Sequence, residues 1–494
     1  MSGDWFPGFD LRQGRTALID EGRALDYGEL ARRCRAQAIA LLGDRNDLDE
    51  ERIGLLLPAG ADYVAGLHGI WQAGGIAVPL SPSVTGAELD HYLSTAGITR
   101  LLAGPDVSDS VRAACQERSV ALIAPSNNHA PGDSALPELG LERRAMILFT
   151  SGTTSRPKGV VIARRAIQAQ VTTLMQAWEW SAEDVIPCFL PLHHIHGIIN
   201  VLSCALWSGA QVHMMPRLEV GRLCEEVAAG AYSVFMAVPT VYVKLLEHFS
   251  NLDSAMAGRV KAGFARMRLN VSGSAACPVE LFKRWEAATG QVLLERYGMT
   301  EIGMALSNPY RGERRAGHVG SPLPGVEVAL FDEQNQPVTA TGMPGEIRIK
   351  GATVFREYWG NPEATAASFH DGWFCSGDVA VIEDGYFRIM GRSSIDIIKS
   401  GGYKLSALEI EGVLLDHPLI REVAVIGLPD ATWGELVAAV VVLQPGASLE
   451  LETLRAWCAD RLSPYKVPRA LHVTEALPRN AMGKVTKPEL RKLC

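Results

Sequence analysis

Short apolar runs alternate with amphipathic stretches through the first half of this chain of 494 residues. The pattern predicts buried strands and surface helices in turn, at residues 53–57 (strand), 63–73 (helix), 75–79 (strand) and 86–96 (helix). Further strands are predicted at 101–102, 120–123, 211–215 and 234–238. Because parallel strands need a crossover connection, usually a helix, this alternation predicts layered α/β subdomains with parallel sheets.

The pattern changes after about residue 320, where short strands at 326–331, 345–350 and 386–390 are separated by Gly, Pro and Asp turns. These strands predict a small β-rich subdomain. A further pattern of helices and strands begins near residue 393 and predicts a small α+β C-terminal domain. We therefore expect two domains, 1–392 and 393–494, in a chain that is too long for one hydrophobic core.

Composition and charge exclude several classes of protein. The formal net charge of −8 gives no overall attraction for nucleic acid. No stretch offers the roughly 18 uninterrupted apolar residues that a membrane span needs. The nine cysteines are scattered without a CxxC pair, which disfavours a zinc knuckle or a disulfide framework. We expect a cytoplasmic protein with reduced thiols, monomeric or homodimeric, that acts on small molecules.

One polar run follows directly on a predicted buried strand at 146–149, and it reads Thr150-Ser151-Gly152-Thr153-Thr154-Ser155-Arg156-Pro157-Lys158-Gly159. Glycine allows the backbone to approach an oxyanion, hydroxyl groups donate hydrogen bonds, and Lys158 supplies positive charge. The run lacks the GxxxxGK[ST] pattern of a P-loop. It is therefore interpreted as a phosphate cradle of another kind, and the alternative is a flexible polar linker.

The run resembles the Ser/Thr/Gly-rich signature of the adenylate-forming superfamily, which includes acyl-CoA synthetases, luciferases and the adenylation domains of peptide synthetases. Seven further motifs are similar to those of that superfamily and occur in its order: 191–197 (PLHHIHG), 272–275 (SGSA), 297–301 (YGMTE), 376–378 (SGD), 391–392 (GR), 400–403 (SGGY) and 478–484 (PRNAMGK). The resemblance covers essentially the whole chain. It implies that ATP activates a carboxylate as an acyl-adenylate, from which a thiol then displaces AMP.

The resemblance also assigns roles to individual residues. It implies an ATP site formed by Thr150, Ser151, Gly152, Thr153, Thr154, Lys158, Gly273, Ser274, Ala275, Tyr297, Gly298, Met299, Thr300, Asp378 and Arg392. Within this set Tyr297 stacks on adenine, and Asp378 with Arg392 binds the ribose. Glu301 is the implied Mg²⁺ ligand. The implied catalytic residues are Lys484, Thr300, Glu301 and His194.

A mobile C-terminal domain is a further implication of the resemblance. Its rotation between the two half-reactions would turn on a hinge at Ser394, although Asp396 is an open alternative. Gly401, Gly402 and Tyr403 would then line the path of the CoA pantetheine to the thioester-forming step.

The charged residues expected in the acyl pocket indicate which class of acid is activated. Strand alternation places Arg268, Asn270 and Ser272 on one face, beside the turn assigned to adenine. Lys244, on a predicted helix at 241–248, could add a second cation, and His194 and Met304 complete the expected substrate side. Such groups favour a short dicarboxylate over a long fatty acid, since they would be costly to bury unpaired. The alternative is that both cations are surface charges at element ends.

Longer segments at 294–307, 354–359 and 391–399 resemble malonyl-CoA synthetases, in which some members carry arginine at the position of Lys244. This resemblance implies that malonate, CoA and ATP yield malonyl-CoA, AMP and diphosphate, within fatty acid metabolism. The alternatives are a CoA ligase for another small or aromatic acid, and a stand-alone adenylation enzyme that loads a carrier protein. A non-catalytic homologue is disfavoured, because the implied functional residues are intact.

Overall fold

The computed structural model describes residues 9–12, 14–126, 135–150, 157–401, 403–479 and 485–493. These residues fall into two compact units. The first consists of Met1–Ala316, Ser321–Glu327 and Ile349–Phe374, and the second of Gly317–Gly320, Val328–Arg348 and Cys375–Cys494. The boundary expected between residues 392 and 393 lies inside the second unit, and it stays a prediction.

The secondary structure alternates as predicted. The helices are α1 (Tyr27–Leu42), α2 (Ala61–Gln72), α3 (Gly86–Ala96), α4 (Asp109–Glu117), α5 (Arg164–Ala177), α6 (Cys204–Ser208), α7 (Val220–Ala228), α8 (Pro239–Ser250), α9 (Ser254–Arg266), α10 (Val279–Thr289), α11 (Pro362–Ala367), α12 (Ala407–Leu415), α13 (Leu451–Cys458) and α14 (Lys487–Leu493). Phe9–Arg12 forms a 3-10 helix and His196–Ser203 a π-helix.

The strands are β1 (Thr16–Asp20), β2 (Arg23–Asp26), β3 (Arg52–Leu56), β4 (Ile76–Pro79), β5 (Arg100–Ala103), β6 (Ala121–Ile123), β7 (Arg144–Thr150), β8 (Lys158–Ala163), β9 (Val185–Cys188), β10 (Gln211–Met214), β11 (Val234–Ala237), β12 (Leu269–Ser272), β13 (Leu294–Met299), β14 (Gly303–Ser307), β15 (Ser321–Pro322), β16 (Val326–Phe331), β17 (Gly345–Gly351), β18 (Glu357–Tyr358), β19 (Phe369–His370), β20 (Trp373–Glu383), β21 (Tyr386–Arg392), β22 (Ile397–Ser400), β23 (Tyr403–Ser406), β24 (Ile420–Asp430), β25 (Gly434–Leu443) and β26 (Ala470–Val473).

The first unit contains three sheets. The largest has the order β18-β8-β7-β4-β3-β5-β6, and its strands from β7 to β6 are parallel, as the alternation predicted. A second sheet, β11-β12-β13-β14-β15, is parallel over its first three strands and antiparallel beyond them. The third has the order β2-β1-β10-β9. The α/β fold class is therefore confirmed.

Close packing within the largest sheet and the capping of helix α3 explain parts of the sequence. Gly54 on β3 has no room for a side chain, because a Cβ there would lie 2.5 Å from Leu101 Cδ1. Helix α3 occupies 86–96 as predicted, since Thr85 and Glu88 form a capping box at its start and Gly97 ends it in a left-handed conformation. These local signals fix the helix that covers the sheet.

The second unit is richer in antiparallel strands. One of its sheets contains β16, β17 and β20 in that order, with β21 paired to β20, and this is the predicted β-rich subdomain. Another has the order β23-β22-β25-β24, with β26 paired to β25 and helices α12 and α13 packed in the same hydrophobic core. In the part of the chain that the structure describes, no helix combines the length and apolarity needed to cross a membrane.

Candidate active site

The phosphate cradle is the connection between two antiparallel strands of the first unit. Thr150, the last residue of β7, pairs with Lys158, the first residue of β8. Of the predicted cradle, Ser151, Gly152, Thr153, Thr154, Ser155 and Arg156 lie outside the described residues. Thr150 and Lys158, one hydroxyl and one cation, are held opposite each other where β7 and β8 meet.

The predicted nucleotide motif forms the tight turn between β13 and β14. Gly298 and Gly303 leave no room for a Cβ, since one at Gly298 would overlap Met304 and one at Gly303 would overlap Gln170 Oε1. That same oxygen accepts a hydrogen bond of 2.5 Å from the Met304 backbone N–H. The turn, with Thr300 and Glu301 at its tip, is therefore set by close backbone contacts that only glycine permits.

Glu301, the predicted metal ligand, is 6% exposed. Its Oε1 accepts a hydrogen bond of 3.0 Å from the Tyr358 hydroxyl, and its carbonyl oxygen accepts one of 2.6 Å from the Phe355 N–H. The Lys158 Nζ lies 5.1 Å from the centroid of the Tyr358 ring. One tyrosine therefore contacts both the predicted metal ligand, through its hydroxyl group, and the predicted phosphate-binding lysine, through its ring.

Whether these residues fit Mg²⁺ can be judged from their chemistry. Among the described residues no group of three His, Cys, Asp or Glu side chains could hold a metal ion. Mg²⁺ commonly binds through one or two carboxylates, with substrate phosphates and water completing its octahedron. A single buried carboxylate beside a phosphate cradle fits that mode of binding, and it does not fit a metal held by protein ligands alone.

A second cluster surrounds the predicted adenine turn. Ser274 is exposed and has a positive φ of 67°, a conformation that is uncommon for non-glycine residues. Its Oγ lies 3.0 Å from His196 Nδ1 and 3.5 Å from Arg296 Nη2. A Cβ at Gly273 would lie 2.5 Å from Arg296 Nε, so the glycine allows the turn to rest on the guanidinium.

Arg296 is a buried cation, only 3% exposed. Among the described residues it forms no salt bridge, and its Nε has no hydrogen-bond partner. Burial lowers the pKa of Arg296 to about 10, which leaves it charged at neutral pH. Burial, with the nearby charges of Arg296 and His194, also holds the pKa of His196 well below its ordinary value, so this imidazole is neutral. The cluster is therefore a buried positive site below an exposed turn.

Arg268 does not have the predicted role. Its Nε and Nη2 bond to Asp184 at 2.6 and 2.7 Å, and its Nη1 donates to the Trp178 carbonyl at 2.8 Å. Because these N–H groups already bind a carboxylate and a carbonyl, no parallel pair of donors remains for a substrate carboxylate. The assignment of Arg268 as a carboxylate ligand is wrong, and Arg296 is the buried cation next to the adenine turn.

The other residues predicted on the substrate side are placed as follows. Lys244 is exposed on α8, His194 is half-buried with its ring 4.3 Å from that of His193, and Met304 is buried behind the turn. Asn270 and Ser272 are both fully buried, and their side-chain polar atoms have no hydrogen-bond partner among the described residues. Their roles toward a substrate stay predictions.

The predicted ribose pair is assembled within the second unit. Asp378 on β20 and Arg392 on β21 face each other in register, with Arg392 Nε 3.1 Å from Asp378 Oδ1. Ser376, which replaces the usual threonine of the superfamily, keeps the hydroxyl in use: it donates to the Ile347 carbonyl at 2.6 Å and accepts from the Asp378 N–H at 3.0 Å. Asp378 and Arg392 are thus held next to each other on neighbouring strands.

The hinge candidates differ in how firmly they are held. Ser394 is exposed in a turn, whereas Asp396 accepts hydrogen bonds from Lys487 Nζ at 2.6 Å and from the Arg392 N–H at 3.1 Å. In the thioester-step loop, Tyr403 stacks on Tyr465 with ring centroids 4.5 Å apart. Gly401 precedes it with a positive φ of 57°. Gly402 and Lys484 lie outside the described residues.

Three residues of these clusters were not predicted. Arg296 and Tyr358 lie inside segments that resemble malonyl-CoA synthetases, but they carry no signal of their own in a single sequence. His196 belongs to the histidine motif, from which His194 was chosen instead. The contact that distinguishes Tyr358 joins residues 57 positions apart, a separation that sequence periodicity does not reach.

Comparison with known proteins agrees with these features. A family model described as AMP-binding enzyme matches residues 10–359, and one described as AMP-binding enzyme C-terminal domain matches residues 409–484. A mitochondrial malonate–CoA ligase of Mus musculus is 44% identical, over 97% of this chain and 88% of its own. A malonate–CoA ligase of Arabidopsis thaliana is 39% identical, over 97% of this chain and 86% of its own.

Solved structures are similar over the same extent. ATP-bound MatB from Rhodopseudomonas palustris has a TM-score of 0.88 at 31% identity and covers 100% of this chain and 99% of its own. A malonyl-CoA ligase in a ternary product complex with methylmalonyl-CoA and AMP has a TM-score of 0.70 at 37% identity, over 96% of this chain and 100% of its own.

Proposed function

The chain belongs to the AMP-binding enzyme family, and we propose that it is a malonate–CoA ligase, which forms malonyl-CoA, AMP and diphosphate from malonate, CoA and ATP. The carboxylate oxygen attacks the α-phosphorus of ATP and diphosphate leaves. The thiol sulfur of CoA then attacks the acyl carbon, AMP leaves, and the thiol proton is released. Both steps transfer a group between bound reactants, so positioning and charge stabilisation carry most of the catalysis.

The observation that carries the choice of acid is Arg296. A buried guanidinium without a carboxylate partner among the described residues is costly, and an anionic ligand is the simplest counter-ion. Malonate has one carboxylate to be activated and a second to pair with such a cation. The Ser274 hydroxyl, at 3.5 Å from the guanidinium, adds a donor at the exposed side of the cluster.

Other acids suit this cluster less well. A long fatty acid or benzoate would bury the Arg296 charge against an apolar group and leave it unpaired. Acetate fills less of the site and brings no second charge. The neutral His196 imidazole adds a hydrogen-bonding group without adding repulsion between cations. The cluster therefore favours a short dicarboxylate, and methylmalonate is the nearest competitor.

We assign the nucleotide chemistry to residues that the structure already pairs. Lys158 and Thr150 lie at the base of the phosphate cradle, and Asp378 with Arg392 forms the candidate ribose clamp. Glu301 is the residue that would hold Mg²⁺, which neutralises phosphate charge when it is bound. Lys484 is the proposed cation for the transferring carboxylate. Gly401 and Tyr403 are proposed to guide the thiol, with free CoA as the acceptor.

A substrate panel tests the function. Diphosphate release would be measured with malonate, methylmalonate, acetate, benzoate and octanoate, each with and without CoA, and malonyl-CoA would be identified by mass spectrometry. We expect the highest kcat/KM with malonate and a product that requires CoA. Highest turnover on octanoate or benzoate would overturn the choice of acid. Activity only with a pantetheinylated carrier protein would overturn the choice of thiol.

Location, assembly and pathway are further proposals. We propose that the protein acts in the cytoplasm, as a monomer or homodimer, and supplies malonyl-CoA to reactions of fatty acid metabolism. Cell fractionation and light scattering of the purified protein are the direct tests. Recovery of the protein with an organelle fraction would overturn the first proposal.

A further inference from the structure

We propose that Tyr358 is a positioning residue for adenylate formation, which orients the Glu301 carboxylate toward magnesium-bound ATP and holds the Lys158 ammonium beside it. The proposal rests on the ATP chemistry of the proposed function, and it is independent of which acid is activated. In this proposal the Tyr358 side chain positions both Glu301, the predicted metal ligand, and Lys158, the predicted phosphate-binding cation.

The hydroxyl group of Tyr358 contacts the carboxylate of Glu301. Tyr358 Oη donates to Glu301 Oε1 at 3.0 Å, and the Phe355 N–H fixes the Glu301 backbone through a bond of 2.6 Å to its carbonyl oxygen. Glu301 is buried, and a buried carboxylate requires donors that hold it in one orientation. The tyrosine therefore limits the directions in which the carboxylate can present its oxygens.

The ring of Tyr358 contacts the ammonium group of Lys158. The Lys158 Nζ lies 5.1 Å from the centroid of the Tyr358 ring, within the range of a cation–π interaction. Lysine has a long flexible side chain that is otherwise costly to order. The ring thus supplies a face that limits where the ammonium can lie, while the hydroxyl group of the same side chain contacts the Glu301 carboxylate.

Backbone pairing anchors Tyr358 to the strands that carry the phosphate cradle. Strand β18 pairs with β8, so Tyr358 lies opposite Val160, and the Trp359 N–H donates to the Gly159 carbonyl at 2.7 Å. On β7, Arg144 forms ion pairs of 2.7 Å with both Glu357 and Glu50. The ring is therefore fixed relative to Lys158 by backbone pairing and by a charged side-chain bridge.

Other tyrosines of the first unit differ in the groups that their hydroxyls contact. Tyr27 donates to the Ala210 carbonyl and Tyr242 to the Val271 carbonyl, both at 2.7 Å, which are structural bonds to main chain. Tyr358 instead donates to a carboxylate at the tip of the nucleotide motif. Tyr232 also donates to a carboxylate, that of Glu226, but the two residues are only six positions apart and neither lies in a predicted nucleotide motif. What distinguishes Tyr358 is therefore the place of its acceptor, Glu301, in that motif.

The test compares Tyr358→Phe with the matched control Tyr27→Phe, which loses a buried tyrosine hydroxyl elsewhere in the same unit. Binding of ATP to the full chain would be measured by calorimetry, once with Mg²⁺ and once with a chelator. For Tyr358→Phe we expect Mg²⁺-dependent binding to weaken by about tenfold, as is typical when a partner of a metal ligand is removed, while metal-free binding is unchanged. The control should change neither value.

A purely structural role would weaken both kinds of binding, or neither, and either result would overturn the proposal. So would failure of Tyr358→Phe to fold, because the hydroxyl would then be a stability contact. A Glu301→Gln background adds a second check, since Tyr358→Phe should have no further effect there. The binding measurement needs no acid substrate, so its outcome is separate from a failure of the malonate panel.

Discussion

Arg268 and Asp184 form a bidentate ion pair, with Nε–Oδ1 and Nη2–Oδ2 distances of 2.6 and 2.7 Å. The Asp184 side chain is 3% exposed, so this pair ties the start of β12 to the segment that precedes β9 inside the first unit. The charge of Arg268 is neutralised within the protein. Arg296, by contrast, is buried without a carboxylate partner among the described residues, which is why it is the better candidate for binding an anion.

Replacing Arg268 should therefore affect stability and not substrate binding. Arg268→Gln leaves the buried Asp184 carboxylate without its cation, and we expect the free energy of unfolding to fall by about 3 kcal/mol. The KM for malonate should stay unchanged. Urea denaturation and initial rates measure the two quantities. A large rise in the KM for malonate at unchanged stability would restore Arg268 as a substrate ligand.

The same pair predicts a dependence of stability on pH. Burial raises the pKa of Asp184, but the hydrogen bonds from Arg268 and from the Ser181 N–H outweigh it, so the pKa lies below its ordinary value of 3.8. A carboxyl group whose pKa is lowered by folding stabilises the protein above its unfolded pKa and loses that contribution as the pH falls through the folded pKa.

Asp184→Asn should accordingly destabilise the protein most at neutral pH. We expect its difference from the unmodified protein in urea midpoint to shrink as the pH is lowered from about 7 toward about 3. Exposed Glu183→Gln is the control, because its partner Arg15 is also largely exposed. A difference that is constant with pH would mean that the ion pair does not stabilise the fold.

Arg296→Gln should weaken the binding of malonate much more than that of ATP, to which the guanidinium contributes only through its 3.5 Å contact with Ser274. Loss of a buried charged hydrogen bond costs about 3 kcal/mol, which corresponds to a rise of about 100-fold in the KM for malonate. Monocarboxylates should be affected less, so the preference for malonate over acetate should decline. Arg311→Gln, which removes an exposed ion pair to Glu179, is the control. An equal loss with both acids would show that Arg296 does not bind the second carboxylate.

Much of the fold could be predicted because its signals are local. Helix α3 at 86–96 is predicted by the alternation of apolar and amphipathic stretches, and strand β16 at 326–331 by its pattern and flanking turns. The π-helix at His196–Ser203 was not predicted, since its apolar run has no distinct period. Its eight residues include His196, whose burial only the packed structure reveals.

Sequence reasoning grouped residues that the structure also brings together where their strands are neighbours, and it did less well where distant segments meet. Asp378 and Arg392, predicted to act together, lie opposite each other on neighbouring strands, and their role toward ribose stays a prediction. Arg268 was misassigned because alternation gives the face of a strand and not the partner on it, and Asp184 lies 84 positions away. The contact of Tyr358 with Glu301 likewise depends on tertiary packing alone.

The two hinge candidates, Asp396 and Ser394, differ in the number of their contacts. Asp396 is held by Lys487 Nζ at 2.6 Å, by the Arg392 N–H, and through its own carbonyl by the Ala407 N–H at 2.8 Å. Lys487 also pairs with Glu411 at 2.7 Å. A residue with so many fixed contacts is poorly suited to absorb a large backbone rotation, whereas Ser394 is exposed and forms no hydrogen bond to a described residue.

We therefore expect Ser394 to be the pivot. Ser394→Pro removes an N–H that forms no described bond and restricts φ, so the fold should persist while rotation is hindered. Thioester formation from supplied malonyl-adenylate should slow severalfold, and diphosphate release without CoA should keep its rate. Ser394→Ala, which leaves the backbone free, is the matched control. If Ser394→Pro supports both half-reactions at the unmodified rates, the rotation turns on another residue, and the contacts of Asp396 would then have to break during each catalytic cycle.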